Sequence, residues 1–238
     1  MAWEVCLRSS LQRTSEPFFR ILMMSEKLES LLIQNLSDLD QAVLRIKEIE
    51  NRVFSEMDNF CLNWSRKQGW ISEADYSTNK EWDGWNHWLA PPDWRTRNSE
   101  IEQNYFDGCF ELSLSGGDDG QGAVGCDWFY LTRLCQSGKG HMGFIFVHSQ
   151  SLTTRKWKKI FPQIQSLAPT PPFFSTEINQ SPTFFLPFKI DATDLARAFE
   201  EEEPLLALRP FEDALNALLQ TKPQLDLVVE QIRAAAAS

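Results

Sequence analysis

The feature that most constrains this chain is a regular apolar pattern over residues 32–64. Its members recur at alternating steps of four and three residues: Leu32, Leu36, Leu39, Val43, Ile46, Val53, Met57, Phe60 and Trp64. Such steps return each side chain to one face of an α-helix, and they are typical of coiled coils. Only Glu50 interrupts the pattern. The sequence therefore predicts a long helix with an apolar stripe that other polypeptide must cover.

This stripe divides the chain into three expected regions. Residues 1–24 carry Arg8 and Arg13 where a secretory signal needs an uninterrupted apolar core, so they are interpreted as a loosely ordered leader. A helical arm is expected over residues 25–69, and it would be on the order of 60 Å long if it were one helix. Ser37 followed by Asp40 is a capping pattern that allows a break just before it. Such an arm must fold back, pair with a second copy or extend from the remaining region, residues 70–238.

The third region is expected to contain an antiparallel sheet of three strands. They are predicted over residues 105–114, 128–135 and 142–148, because these segments alternate in polarity or are rich in aromatic and β-branched residues. The last of them is apolar on both faces, so both sides of the sheet need a cover. The long helix or the C-terminal helices could provide it. The fold class predicted for the whole chain is α+β.

A tryptophan-rich connector is expected ahead of this sheet, over residues 70–94, because Trp82, Trp85 and Trp88 follow one another at steps of three. After the sheet, residues 184–190 are predicted to form an edge strand, since Pro187 cannot donate a ladder hydrogen bond. Three helices are expected to follow it. Their start signals are Asp191 or Thr193, Pro210 and Pro223.

Composition excludes several classes of function. A formal net charge of -10 opposes general binding to DNA, RNA or anionic membranes. No apolar run approaches the roughly 20 residues that span a bilayer. The odd number of cysteines and the absence of a CxxC pair favour reduced thiols, hence a cytoplasmic location, and no cofactor is predicted. These cysteines are Cys6, Cys61, Cys109, Cys126 and Cys135.

Enzymatic interpretations find little local support in the sequence. The glycine-rich segments lack the pattern of a phosphate-binding loop. Cysteine–histidine pairs with His87, His141 or His148 lack any motif of a nucleophilic enzyme. The remaining enzyme hypothesis is a metal-dependent hydrolase or nuclease that uses strand carboxylates. Its metal ligands would be Asp107, Glu111 and Asp127.

The leading hypothesis is a non-enzymatic acidic protein that acts through protein contacts. It would be either a self-associating scaffold or a neutralising partner of a basic protein, and it would use the helical stripe together with exposed tryptophans. The candidate binding residues are Trp82, Trp85, Trp88, Trp94 and Trp157. The competing interpretation is that tryptophans fill the join between helix and sheet. Residues 155–159 form the one strongly basic cluster, which is more typical of a solvated helix turn than of a nucleic-acid site.

Overall fold

The computed structural model describes residues 27–76, 85–96, 106–113, 129–135, 141–148, 152–167, 173–178 and 181–237. It confirms the α+β prediction, since it contains a long N-terminal helix, an antiparallel sheet of six strands in the described part, and C-terminal helices. The chain divides into two compact units between Ile49 and Glu50. This division lies inside the long helix, so each unit is described by itself.

The first unit is helical wherever the structure describes it. Residues 27–34 are helical, Asn35 is a turn, and helix α1 (Leu36–Gln68) follows. The amide of Asn35 donates to the carbonyls of both Leu31 (3.1 Å) and Leu32 (3.2 Å), and the amide of Leu39 donates to the carbonyl of Asn35. Helical hydrogen bonding therefore continues through the expected break, which is a single-residue irregularity.

The second unit is built on a sheet in which every pair of neighbours is antiparallel, in the order β1-β2-β3-β4-β6-β5. The strands are β1 (Ile71–Tyr76), β2 (Trp85–Ala90), β3 (Gly108–Ser113), β4 (Met142–His148), β5 (Phe174–Ile178) and β6 (Ser181–Phe188).

Strands β1 and β2 correct the prediction of a tryptophan-rich connector. The three-residue spacing of the tryptophans resembled a helix turn, but β1 and β2 form an antiparallel pair of strands. His87 and Leu89 are fully buried while Trp88 between them is partly exposed. Aromatic residues favour strands because their side chains pack well on a pleated surface. The segment therefore adds a hairpin to the sheet.

The prediction of a strand over residues 128–135 is wrong as well. The structure places the short helix α2 (Tyr130–Leu134) there, and β3 pairs directly with β4. A carboxylate oxygen of Glu50 accepts a hydrogen bond from the amide of Leu131 (3.1 Å) in the first turn of α2. This contact also explains why an acidic residue interrupts the apolar repeat of α1, since helix N-termini favour negative charge.

Strand β6 is not the edge strand predicted over residues 184–190. It lies between β4 and β5, with Pro187 opposite Gly143 of β4 and Pro182 opposite Glu177 of β5. The β4 ladder covers only the second half of β6 and the β5 ladder only the first half. Each proline is therefore paired on one side only, where its missing N–H is tolerated.

Three longer helices complete the described chain: α3 (Thr154–Gln165), α4 (Ala192–Glu200) and α5 (Arg209–Ala237). Asp191 caps α4 as predicted, because its carboxylate accepts hydrogen bonds from the amides of Thr193 (2.8 Å) and Asp194 (3.2 Å). These bonds lower the pKa of Asp191. Pro210 lies in the first turn of α5, also as predicted.

Pro223 does not begin a new helix but lies inside the 29 residues of α5. Leu218 before it and Leu225 after it, seven residues apart, are both fully buried. Seven residues are close to two helical turns, so the apolar face of α5 continues across the proline. Packing of this face outweighs the local tendency of proline to end a helix.

Much of the core of the second unit lies on one face of the sheet, and Ile145 and Phe185, which pair on the opposite face, are buried as well. Phe110, Phe144 and Phe146 are buried on the first of these faces, and the ring of Phe211 from α5 stacks on Phe144 at 5.8 Å. The C-terminal half of α1 covers the same face through Phe60, whose ring lies 6.0 Å from that of Phe211. Across the described part of the chain, no helix has both the length and the apolar character that crossing a bilayer requires.

Candidate functional site

The described surface carries one extended row of apolar side chains, on the first unit. Leu32, Leu36, Leu39 and Val43 are exposed by 42%, 56%, 38% and 38% and follow the four–three repeat; we call them the arm stripe. Further large apolar residues of the same helical segment are also exposed: Leu28, Leu31, Ile33 and Leu44. Scattered exposed apolar side chains are normal, but a contiguous set of this kind marks an interaction surface.

Polar side chains predominate on the side of the helix opposite the arm stripe, where Leu31 and Leu44 are also exposed. Heptad positions away from the repeat carry Ser30, Gln34, Gln41, Arg45 and Glu48. Arg45 and Glu48 form an exposed ion pair at 2.6 Å. Exposed pairs stabilise a helix only slightly, so this one mainly keeps the outer face solvated. The first unit therefore has a continuous apolar seam and a mainly polar outer side, which is the arrangement of a helix in a coiled coil.

Two of the tryptophans predicted to bind a partner are interior residues. Trp94 and Trp157 are exposed by 1% and 0%. The indole N–H of Trp94 donates to Asp226 (2.7 Å), and that of Trp157 donates to the carbonyl of Pro182 (2.6 Å). Both rings fill the core and both N–H groups are satisfied internally, so neither offers a surface to a partner.

The other three tryptophans differ in how far the structure describes them. Trp88 is partly exposed on β2, with its ring 5.2 Å from that of Phe106. Trp85 opens β2, opposite Tyr76, but its side chain is outside the description. Trp82 lies outside the described residues altogether. Of the five, Trp88 is the one with a described, partly exposed ring, and its place in a binding surface stays a prediction.

The basic cluster at residues 155–159 forms the first turns of α3. Trp157 points into the core together with Phe161 and Ile164, while Arg155, Lys156, Lys158 and Lys159 are exposed. This helix is amphipathic, and its basic residues are its solvated face.

Of the carboxylates of the hydrolase hypothesis, the structure describes Asp107 and Glu111. Asp107 is buried and accepts hydrogen bonds from the guanidinium of Arg233 (2.6 Å) and the hydroxyl of Thr96 (3.0 Å). Glu111 is half-buried on β3, where burial raises its pKa. Asp127 lies outside the described residues. Among those that are described, no three His, Cys, Asp or Glu side chains are grouped closely enough to hold a metal ion.

A second candidate site lies in the interior of the second unit. We call Asp58 of α1, Ser72 of β1 and His87 of β2 the buried triad. A carboxylate oxygen of Asp58 lies 2.7 Å from Nδ1 of His87, and Nε2 of the same ring lies 2.7 Å from Oγ of Ser72. Asp58 and His87 are buried, whereas Ser72 is partly exposed. The arrangement is that of a nucleophile, a base and a carboxylate in line.

The cysteines near these sites are neutral thiols. Burial raises the pKa of Cys61 to about 12 and that of Cys109 to about 12. Cys61 Sγ lies 3.9 Å from Ser72 Oγ, beside the buried triad. A thiol with such a high pKa is a poor nucleophile, because the thiolate is the reactive form.

An open cavity of about 730 Å³ lies beside α4 and the start of α5. Its lining mixes Lys189, Arg197 and Arg209 with Asp191, Asp194 and Asp213. Since both signs of charge are interspersed, the cavity favours neither an anion nor a cation.

Sequence reasoning missed two members of the buried triad. It singled out His87 only as a partner for cysteines and did not consider Asp58 or Ser72. No local motif signals the triad, because its members are 14 and 15 residues apart on three different elements. Comparison of the chain with protein-family models, curated proteins and solved structures finds no match.

Proposed function

We propose that this protein acts through protein contacts, by pairing its N-terminal helix with the same helix of a second copy. The observation that carries the proposal is the arm stripe, whose four residues are each exposed by 38% or more. Exposed apolar area of this kind is removed from water when a partner covers it, which stabilises the complex by about 25 cal/mol per Å² before the costs of association.

The spacing of the arm stripe favours a helix as the partner. Steps of four and three average 3.5 residues, which keeps the apolar row facing a second helix that winds around the first. A sheet or a flat surface sets no such requirement. The polar residues Ser30, Gln34, Gln41, Arg45 and Glu48 fit the solvated outer side of a helix pair.

The charge of the first unit favours a second copy over a basic partner. Residues 27–49 contain three basic and four acidic side chains, a net charge of -1, although the whole chain carries -10. Two such helices repel each other weakly, and neither offers the acidic surface that would recruit a basic protein. An identical helix also brings an identical repeat, so the two apolar rows match along their length.

The mass of the full chain in solution tests this proposal. Sedimentation equilibrium across a range of protein concentrations should show the mass rising from 27.5 kDa to at least twice that value. A chain that stays at 27.5 kDa at every concentration would refute self-association.

Matched variants locate the contact. Leu36→Asp combined with Val43→Asp places charge in the apolar row and should abolish the mass increase while the circular dichroism of the folded chain is kept. Gln34→Asp combined with Gln41→Asp adds the same two charges on the outer side of the helix and should leave association unchanged. If both variants associate equally well, the contact lies elsewhere and the proposal fails.

A further inference from the structure

We propose that the buried triad is a nucleophilic site for acyl transfer, in which Ser72 attacks an ester, His87 is the general base and Asp58 is a positioning residue for His87. This activity is separate from self-association and uses a different part of the chain.

Hydrogen-bonding chemistry assigns the roles of the three groups. An ionised carboxylate can only accept, so Nδ1 of His87 donates to Asp58 across 2.7 Å. The neutral ring then carries its lone pair on Nε2, and the hydroxyl of Ser72 donates to it across 2.7 Å. In this tautomer the ring is oriented to take the proton of the serine hydroxyl.

The register of the sheet explains why the serine and the histidine meet. Ser72 lies opposite Leu89, and His87 lies opposite Ala74, so the two residues are diagonal neighbours on the same face of the first hairpin. Diagonal positions of an antiparallel pair are within reach of longer side chains. Helix α1 covers this face and delivers Asp58 to the far side of the ring.

The three residues of the buried triad differ in their exposure to solvent. Ser72 is partly exposed and lies on β1, the outermost strand at one end of the described sheet, whereas the side chains of His87 and Asp58 are 0% and 2% exposed. Ser72, the proposed nucleophile, is therefore the member of the triad nearest to solvent, while the base and its carboxylate are shielded from water.

The neighbouring thiol does not compete with the hydroxyl. Cys61 is fully buried and its thiol is held neutral by burial. The reactive atom of this group is therefore the oxygen of Ser72.

The reaction is an ordinary ester hydrolysis with water as co-substrate. The oxygen of Ser72 bonds to the carbonyl carbon as its proton moves to Nε2 of His87. The bond from that carbon to the alcohol oxygen breaks, and the alcohol leaves with the proton from His87. Water then attacks the acyl carbon and gives one proton to His87. The bond from that carbon to the Ser72 oxygen breaks, this oxygen takes the proton back from His87, and the acid leaves.

Covalent labelling of the full chain with a fluorophosphonate probe tests the proposal directly. The hydroxyl of Ser72 would displace fluoride and form a bond to phosphorus, which peptide mass spectrometry locates. We expect one probe per chain, on the peptide that contains Ser72. A folded wild-type chain that stays unlabelled, or that is labelled at another residue, overturns the proposal without recourse to any variant.

Variants then assign the roles. Ser72→Ala should lose all labelling, and His87→Gln and Asp58→Asn should slow it by between about 10² and 10⁴-fold. Ser65→Ala, which removes a buried hydroxyl of helix α1 outside the triad, is the matched control and should label at the wild-type rate. Equal slowing by Ser65→Ala would mean that the rates report only loosened packing.

The pH profile of labelling separates positioning from folding. Labelling of the wild-type chain should fall in acid, because a protonated imidazole cannot accept the serine proton. Asp58→Asn should shift the midpoint of this profile. A profile that is identical in the two proteins would show that Asp58 does not act on His87 and would contradict its assigned role.

Discussion

Helix α1 carries a single apolar repeat through two different surroundings. In the first unit, Leu39 and Val43 are each exposed by 38%, whereas in the second unit Val53 and Met57 are exposed by 1% and 0%. The residue types and the spacing are alike on both sides of the division at Ile49 and Glu50. The difference is that sheet and C-terminal helix cover the second half, while the first half is left exposed.

The comparison shows what an apolar repeat specifies. It indicates that one face of a helix must be covered, but it does not indicate whether the same chain or another chain covers it. The buried half contributes to the stability of the fold, since its side chains leave water on folding. The exposed half contributes little to folding and is free to stabilise an association.

The largest expected difference is in the free energy of unfolding. Met57→Ala should lower it by about 2–5 kcal/mol, because it removes a fully buried side chain and leaves a cavity. Leu39→Ala, in the exposed half, should change the stability of the dissociated chain by no more than about 0.5 kcal/mol. Urea titration followed by tryptophan fluorescence measures both. Equal losses in the two variants would erase the distinction between the halves.

A smaller effect is expected at the border between the two halves. Glu50→Leu completes the apolar repeat, yet it should lower the free energy of unfolding by about 1–3 kcal/mol, because the amide of Leu131 loses its acceptor at a partly buried position. Glu50→Gln keeps an acceptor oxygen and should lose less. Should Glu50→Leu stabilise the fold in the same urea titration, continuity of the repeat would matter more than the capping contact.

The smallest effect is a pH dependence that belongs to the second unit. Burial raises the pKa of Glu111, so the folded state binds its proton more tightly than the unfolded state does. The stability that this group contributes is full below its ordinary pKa and is lost as the pH rises through the folded-state pKa. Glu111→Gln should therefore stabilise the chain at neutral pH relative to wild type.

Thermal unfolding measured from acidic to neutral pH checks this expectation. The advantage of Glu111→Gln should shrink toward zero in acid, where the wild-type carboxyl is also neutral. Glu48→Gln alters an exposed side chain on the first unit and serves as the control without a pH-dependent gain. A constant difference across the pH range would mean that Glu111 acts through packing and not through its charge.

The local sequence pattern was sufficient to predict the long helix and its apolar face. The four–three repeat, the end near Gly69 and the cap at Asp191 each depend on residues within a few positions of one another, and each is found in the structure. Strands β3 and β4 were also readable, because they alternate or are apolar throughout. Such signals survive because tertiary contacts reinforce the local preference.

The wrong predictions concern short segments whose secondary structure depends on contacts with residues far away in the sequence. Helix α2 forms against Glu50, which is 81 residues from Leu131, and β6 gains its second neighbour from β5. The buried triad depends on contacts between residues 58, 72 and 87 that only the folded hairpin and helix create. A pattern within a window of some ten residues cannot report such contacts.

By itself the sequence determined that the chain has an α+β fold, that α1 presents one apolar face and that no strong motif names a reaction. Only the tertiary structure decided which half of that face is covered, which aromatic residues are interior and which polar groups meet in the core. The physical reason is range: helical periodicity and capping act between neighbours along the chain, whereas burial and hydrogen-bonded networks depend on residues that folding alone brings together.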